Sequence, residues 1–213
     1  MIQVRDVLQA RFGKVDQAVD LFRHFPAMPA PYADAFTHFS VLTDISGAMY
    51  TVVNEWVAPT LSAWDRAQEQ MFASPDFTAW FKQFQLFVEG GRREFYHVEG
   101  AYDDWSRPGV IVVRESYHAH KWQIEQAVLL LQRYGALLAD RAVGARPRVL
   151  TDASGPMFQA IIEIETKSMA TWEAQRRELF KEPEFAVWFV QLVNAVEAGA
   201  HDFFRVEHTA ATP

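Results

Sequence analysis

The chain has 213 residues, half of them hydrophobic and 14% aromatic, with no cysteine and a formal net charge of −7. This length allows one domain or two, and the apolar fraction is ample for a packed core. The lack of cysteine excludes disulfides, thiolate catalysis, iron–sulfur clusters and cysteine-ligated zinc, and the acidic balance argues against nucleic acid as a partner.

The opening MIQVRDVLQARFGK carries charges throughout and has no apolar leader-like region. No run of Lys or Arg suggests a membrane-surface patch, and no apolar stretch approaches a membrane span. A cytoplasmic protein without membrane association is expected. The first predicted strand, Ile2 to Leu8, alternates β-branched and polar residues and is broken by Gly13. A helix follows from about Lys14 to Phe25, with Val15, Ala18, Val19, Phe22 and Phe25 at helical spacing. PAMPAP at 26–31 reads as a surface excursion. Phe36 to Thr43 and Met49 to Trp56 form a hairpin around Asp44-Ile45-Ser46-Gly47, where Asp first and Gly last suit a four-residue turn. A helix with Leu61, Trp64, Met71 and Phe72 on one face leads to Ser74-Pro75-Asp76, which restarts a helix with a serine cap and proline in its first turn. Phe77, Trp80, Phe84 and Val88 line the inner face of this helix, and Gly90-Gly91 is expected to end it as a C-cap. Arg93 to Glu99 is the closing strand.

The chain then repeats itself. Residues 41–100 align with 149–208 at a constant offset of 108, and 21 of these 60 positions are identical, among them Asp44/Asp152, Gly47/Gly155, Glu55/Glu163, Trp64/Trp172, Pro75/Pro183 and Trp80/Trp188. Nearer the start the offset is 109: the first strand and helix recur as Ile111 to Tyr117 and as Ile124, Ala127, Val128, Leu131 and Tyr134. The hairpin recurs as Val149 to Thr151 and Met157 to Glu165, Gly199 takes the C-cap role, and Asp202 to His208 closes the copy. A repeat this long decides the architecture. Each copy reads strand–helix–strand–strand–helix–strand, the split βαβ or ferredoxin-like unit. Its four-stranded sheet carries helices on one face, so the bare faces of two copies are expected to stack into a single α+β barrel. Residues 1–100 and 110–208 are the expected repeats, with 101–109 as linker and 209–213 as tail.

The opening strand and helix VRDVLQARFGKVDQAVDLF, the helix starts TLSAWDR and SMATWEA, the blocks SPDFTAWF and EPEFAVWF, and the ending GGRREFYHVE resemble the NIPSNAP-like branch of the dimeric α/β-barrel proteins. The resemblance covers most of both repeats and implies the pseudo-dimeric barrel. It supplies no catalytic set to carry across, because the wider superfamily includes cofactor-free monooxygenases, polyketide cyclases, haem-binding and haem-degrading enzymes, and binding proteins.

Strand alternation places Met49, Thr51, Val53 and Glu55 on one face, and Tyr50, Val52, Asn54 and Trp56 on the other. Arg5 shares a face with Gln3 and Val7, and Arg114 and Glu163 repeat Arg5 and Glu55. Each Arg is expected beside its Glu, either as a cross-strand ion pair finishing the sheet or as a catalytic group of Arg5, Glu55, Arg114 and Glu163 converging inside the barrel. In the second case a guanidinium would hold an enolate or carboxylate, and a raised-pKa glutamate would act as acid or base. His38 aligns with Arg146 and His97 with Arg205, so these unrepeated histidines are candidate substrate-binding residues, as are Tyr50 and Tyr117 beside the presumed cavity. His118 and His120 share a strand face without a third ligand at metal spacing. No phosphate loop, dinucleotide fingerprint, nucleophile elbow or metalloprotease motif is present, and no cofactor or metal is expected. Three readings stay open. One is a small-molecule protein binding an apolar or aromatic compound between the sheets, as a cofactor-independent oxygenase or cyclase. The second is a non-catalytic interaction or stress-response module with a filled barrel, and the third a haem-binding protein. The chain is expected to be a monomer or a homodimer.

Overall fold

The computed structural model describes residues 1–25, 36–141 and 146–210. The elements in order are β1 (Ile2–Ala10), α1 (Val15–Arg23), β2 (Phe39–Asp44), β3 (Thr51–Ala58), α2 (Leu61–Ala73), α3 (Pro75–Phe84), β4 (Val88–Val98), β5 (Ile111–Ala119), α4 (Ile124–Arg141), β6 (Arg148–Asp152), β7 (Gln159–Thr166), α5 (Met169–Leu179), α6 (Pro183–Ala195) and β8 (Val196–Ala210). All strand pairings are antiparallel, and the sheet closes in the order β1-β3-β2-β8-β5-β7-β6-β4, with β4 returning to β1. Two four-stranded sheets, β4-β1-β3-β2 and β8-β5-β7-β6, are thus joined through β2–β8 and β4–β6. Closure leaves no exposed sheet edge among the described residues.

Why the chain bends where it does is visible in paired details. Asp44 Oδ1 accepts from the Thr51 amide at 2.7 Å, and Asp152 Oδ1 accepts from the Gln159 amide at the same distance. Each aspartate thus closes its hairpin, but across a loop longer than the four-residue turn expected: β3 begins at Thr51 and β7 at Gln159 rather than at Met49 and Met157. Ser74 Oγ accepts from the Phe77 amide and caps α3, with Pro75 in the first turn. In the second copy Glu182 stands at the cap of α6 and makes no such side-chain bond. The excursion expected at 26–31 lies outside the described residues.

The glycines expected as helix C-caps lie elsewhere. Gly90 and Gly91 belong to β4 and Gly199 to β8, and Val88 and Val196 open those strands rather than lining helices. The reason is close approach, not capping. A Cβ on Gly91 would stand 2.6 Å from the Val7 carbonyl oxygen, and one on Gly199 2.9 Å from the Tyr117 ring. Only a residue without a side chain lets the partner strand run so near.

The helices cover the outer faces. Val41, Val52, Phe22, Phe77 and Trp80 form one core under α1 and α3. Val113, Ile162, Ile164, Tyr134, Trp172 and Trp188 form its counterpart under α4, α5 and α6. The repeated tryptophans are tied alike: Trp80 Nε1 donates to the Leu21 carbonyl at 2.9 Å and Trp188 Nε1 to the Leu130 carbonyl at 2.7 Å. Each fully buried aliphatic or aromatic side chain contributes about 1.5–3 kcal/mol before entropy is counted. Inside the barrel, Leu42, Val53, Val110, Val112, Phe204 and Val206 pack around Trp105, which comes from the segment between the halves.

Candidate functional site

The inner strand faces carry an ionic cluster. Arg5 and Glu55 oppose each other across β1 and β3, with Nε 3.3 Å from Oε1, and Arg5 Nη1 reaches Glu94 Oε2 at 3.1 Å. Arg114 pairs with Glu163 across β5 and β7. Arg148, on β6, takes the aligned place of Ser40 and lies 4.0 Å from Glu55. All five of Arg5, Glu55, Arg114, Arg148 and Glu163 are at most 4% exposed. Burial, reinforced by the Glu163 charge, pushes the Glu55 carboxyl above its ordinary value despite the nearby arginines. Burial acts the same way on Glu94, but there Arg5 and Arg114 prevail and hold the carboxyl below its ordinary value.

The connecting segment stoppers one end of this barrel. Trp105 donates its indole N–H to Glu55 Oε2 at 3.3 Å, and the Ser106 amide donates to Glu165 at 2.7 Å. The Arg148 guanidinium is sandwiched by the rings of Tyr102 and Trp105, at 4.0 and 3.4 Å, and donates to the Tyr102 hydroxyl and the Asp103 carbonyl. One end of the inter-sheet space is therefore closed, and the charged cluster of Arg5, Glu55, Arg114, Arg148 and Glu163 lies within it.

The other residues singled out in the sequence do not gather around that centre. His38 precedes β2 and pairs with Asp104 at 2.6 Å. Tyr50 sits in the hairpin turn with φ +63° and packs edge-on against Phe12. His97 is exposed on β4. Tyr117 faces the helices, away from the inter-sheet space, and donates to Glu115 Oε2 at 2.6 Å. His118 and His120 both approach Glu197 at the surface.

An apolar pocket lies instead beneath the helices of the first half, between α2, α3 and the outer faces of β1, β3 and β4. Its volume is about 400 Å³, within the range of small-molecule sites. Phe25, Trp56, Trp64, Phe77 and Trp80 supply much of its wall, and Asn54 stands on its sheet side. Asn54 is 3% exposed and its Oδ1 has no hydrogen-bond partner among the described residues. A buried acceptor left open costs about 1–3 kcal/mol, which a ligand donor would recover. At the rim Arg93 forks onto Asp6, with Nη2 2.8 Å from Oδ2, donates to Gln68, and lies over the Trp64 ring at 4.9 Å.

The second half carries different residues at the equivalent positions. Leu8, Phe25, Asn54 and Trp56 are replaced by Tyr117, Tyr134, Ile162 and Ile164, and Asp6 by Glu115. Glu115 is 2% exposed and accepts from both Tyr117 and Tyr134, at 2.6 and 3.5 Å. Burial and the Glu115 charge push both phenols above their ordinary value, so they remain donors at neutral pH. Trp172 becomes 4% exposed, whereas Trp64 is half-buried. Asn54, Asp6 and Arg93 escaped the sequence reading. The pattern that reveals them is divergence between otherwise matching halves, extended from histidines to every position facing the helices.

The sequence matches no protein-family model and no curated protein. Among solved structures, a candidate monooxygenase of Fusobacterium nucleatum subsp. nucleatum ATCC 25586 superposes with a TM-score of 0.74 at 8% identity, over 99% of this chain and 94% of that one. An anthrone oxidase-like protein superposes at 0.65 and 14% identity, over 99% and 93%. An uncharacterised NIPSNAP-domain protein of Burkholderia xenovorans superposes at 0.41 and 18% identity, over 48% of this chain and 98% of that one. With eight antiparallel strands among the described residues closed into one barrel, the chain has the fold of the dimeric α/β-barrel proteins.

Proposed function

We propose that the chain binds an apolar, aromatic small molecule in the pocket beneath α2 and α3, and that its halves, 1–100 and 110–208, are tandem ferredoxin-like repeats joined by 101–109. The observation that carries this is the contrast between the halves at equivalent positions. In one, Glu115 is hydrogen-bonded by Tyr117 and Tyr134, and the other holds about 400 Å³ of aromatic-lined space facing an Asn54 oxygen with no partner among the described residues. A planar ring system stacks on Trp and Phe walls at little entropic cost, and a hydroxyl or N–H on it would satisfy Asn54.

The activity class this arrangement suits is cofactor-independent oxygenation or cyclisation of such a compound. Asp6, on the pocket wall, would accept the proton, leaving an electron-rich enolate or phenolate that dioxygen, the oxidant, could attack. The neighbours described as monooxygenase and anthrone oxidase-like support the same class. Haem fits poorly, because no histidine is among the residues lining this pocket. Arg5, Glu55, Arg114 and Glu163 are assigned to holding the barrel closed rather than to this chemistry.

The test uses 2-naphthol as probe, followed by quenching of tryptophan fluorescence. Met71→Trp should fill the pocket and weaken binding at least tenfold while leaving the melting temperature within a few degrees. Equal affinity in that variant would show that the pocket is not the site. Oxygen uptake with anthrone, in the absence of added metal or flavin, then separates oxygenase from binding protein.

A further inference from the structure

A second cavity, of about 490 Å³, opens at the barrel mouth opposite the connecting segment. Its lining is paired by the repeat: Arg5 with Arg114, Glu94 with Asp202, and Tyr96 with Phe204. The cavity therefore straddles the pseudo-twofold axis and is built by both halves, unlike the pocket under the helices.

Its floor is made by two buried guanidinium groups. Arg5 and Arg114 are 3% and 4% exposed. Arg5 commits Nε to Glu55 and Nη1 to Glu94, and Arg114 commits Nη1 to Glu163. Nη2 of Arg5, and Nε and Nη2 of Arg114, have no hydrogen-bond acceptor among the described residues. They are also absent from the fully sealed unpartnered atoms, so they meet the open space. Phe204 lies 4.9 Å from the Arg5 guanidinium and Tyr96 4.8 Å from that of Arg114, walling the planar faces and leaving edges to donate. Two such edges in a site with little water are a strong receptor for one oxyanion.

A plain anion is not the best complement, however. Glu94, Asp202 and Arg92 also line the cavity, so carboxylates as well as guanidinium groups face it. Glu94 is spent on Arg5, Arg92 and the Tyr96 hydroxyl. Asp202 makes no ion pair or side-chain hydrogen bond among the described residues, and its Oδ1 leans over the hairpin turn, 2.9 Å from where a Cβ on Gly47 would stand. Two guanidinium edges, with a carboxylate without a partner among the described residues across β5–β8 from Arg114, describe a receptor for a dipolar ligand.

We infer that this axial cavity is a binding site for a small zwitterion, such as an amino acid, whose carboxylate meets Arg5 and Arg114 and whose ammonium group meets Asp202. The site is separate from the pocket of the proposed function and does not depend on it.

Calorimetric titration with unbranched ω-amino acids of two to six carbons tests this, with acetate and butylamine as single-charge controls. At least one chain length should bind saturably and at least tenfold more tightly than either control. Ser116→Leu, which fills the cavity without touching an ion pair, should abolish that binding. Asp202→Asn should reduce the best amino acid to the level of acetate. Met71→Trp should leave it unchanged. If no amino acid outbinds the controls, or if Ser116→Leu binds as the parent does, the inference is overturned.

Discussion

Trp105→Ala probes how the barrel is stoppered. Trp105 is 2% exposed, packs among Leu42, Val53, Val112, Phe204 and Val206, and covers the Arg148 guanidinium at 3.4 Å. Removing a buried tryptophan ring costs about 3–5 kcal/mol, and part of that rises with the cavity left behind. Glu55 also loses the indole N–H as a donor, a further cost of about 1 kcal/mol or more for a buried carboxylate. The sum is about 4–6 kcal/mol. For a chain of this size that lowers the melting temperature by roughly 10–20 °C. Trp105→Phe keeps most of the ring and loses the N–H, so it should cost about 1–3 kcal/mol. Urea and thermal unfolding followed by circular dichroism would measure both. If Trp105→Ala costs less than about 1 kcal/mol, the segment merely lies over the barrel end, and the assignment of a sealed end is wrong.

Gly91→Ala should destabilise by about 2 kcal/mol or more, because its Cβ would meet the backbone oxygen of Val7 at 2.6 Å. Gly90→Ala, with open space around it, should stay within about 1 kcal/mol of the parent in the same unfolding assay. Trp122 occupies the place of Gly13 with φ +70° and is 83% exposed, so Trp122→Gly should relieve left-handed strain and stabilise by about 0.5–1 kcal/mol. Glu55 has a folded-state pKa above its ordinary 4.5, so the folded form holds the proton more tightly than the unfolded one. Its contribution is fully present below about pH 4.5 and is lost as the pH rises through the folded value. Glu55→Gln should therefore gain stability relative to the parent as the pH rises from 4 to 8, and Glu94→Gln should lose stability relative to the parent as the pH rises toward about 4.5, because Glu94 is shifted down and its contribution is complete above that value. Urea midpoints across that range would decide the signs.

Much of the fold was legible because its determinants are local. Asp44 and Asp152 close their hairpins, Ser74 caps α3, and the matching halves imply two bare faces that must meet. Glycine at 91 and 199 was ambiguous from sequence, since the same residue serves a helix end or a close strand approach, and only the partner strand distinguishes them. The pairing of Arg5 with Glu55 and Arg114 with Glu163 follows from register, which the strand order sets. The rest of the inner cluster was not legible. Arg148 replaces a serine in the other half, and Trp105 comes from a segment with no repeat counterpart, so periodicity is silent on both. The pocket was hidden for another reason. Aromatic residues at helical spacing look alike whether they fill a core or wall a cavity, and what leaves space is the smaller Leu8 where the second half has Tyr117, a difference in volume rather than in pattern.

The most direct measurement is a crystal structure of the protein soaked with 2-naphthol. The account predicts ligand density between α2, α3 and β3, with the naphthol hydroxyl within hydrogen-bond distance of Asn54 Oδ1, and none beneath α5 and α6. Density lodged only elsewhere, or an empty aromatic pocket at a saturating concentration, would contradict it.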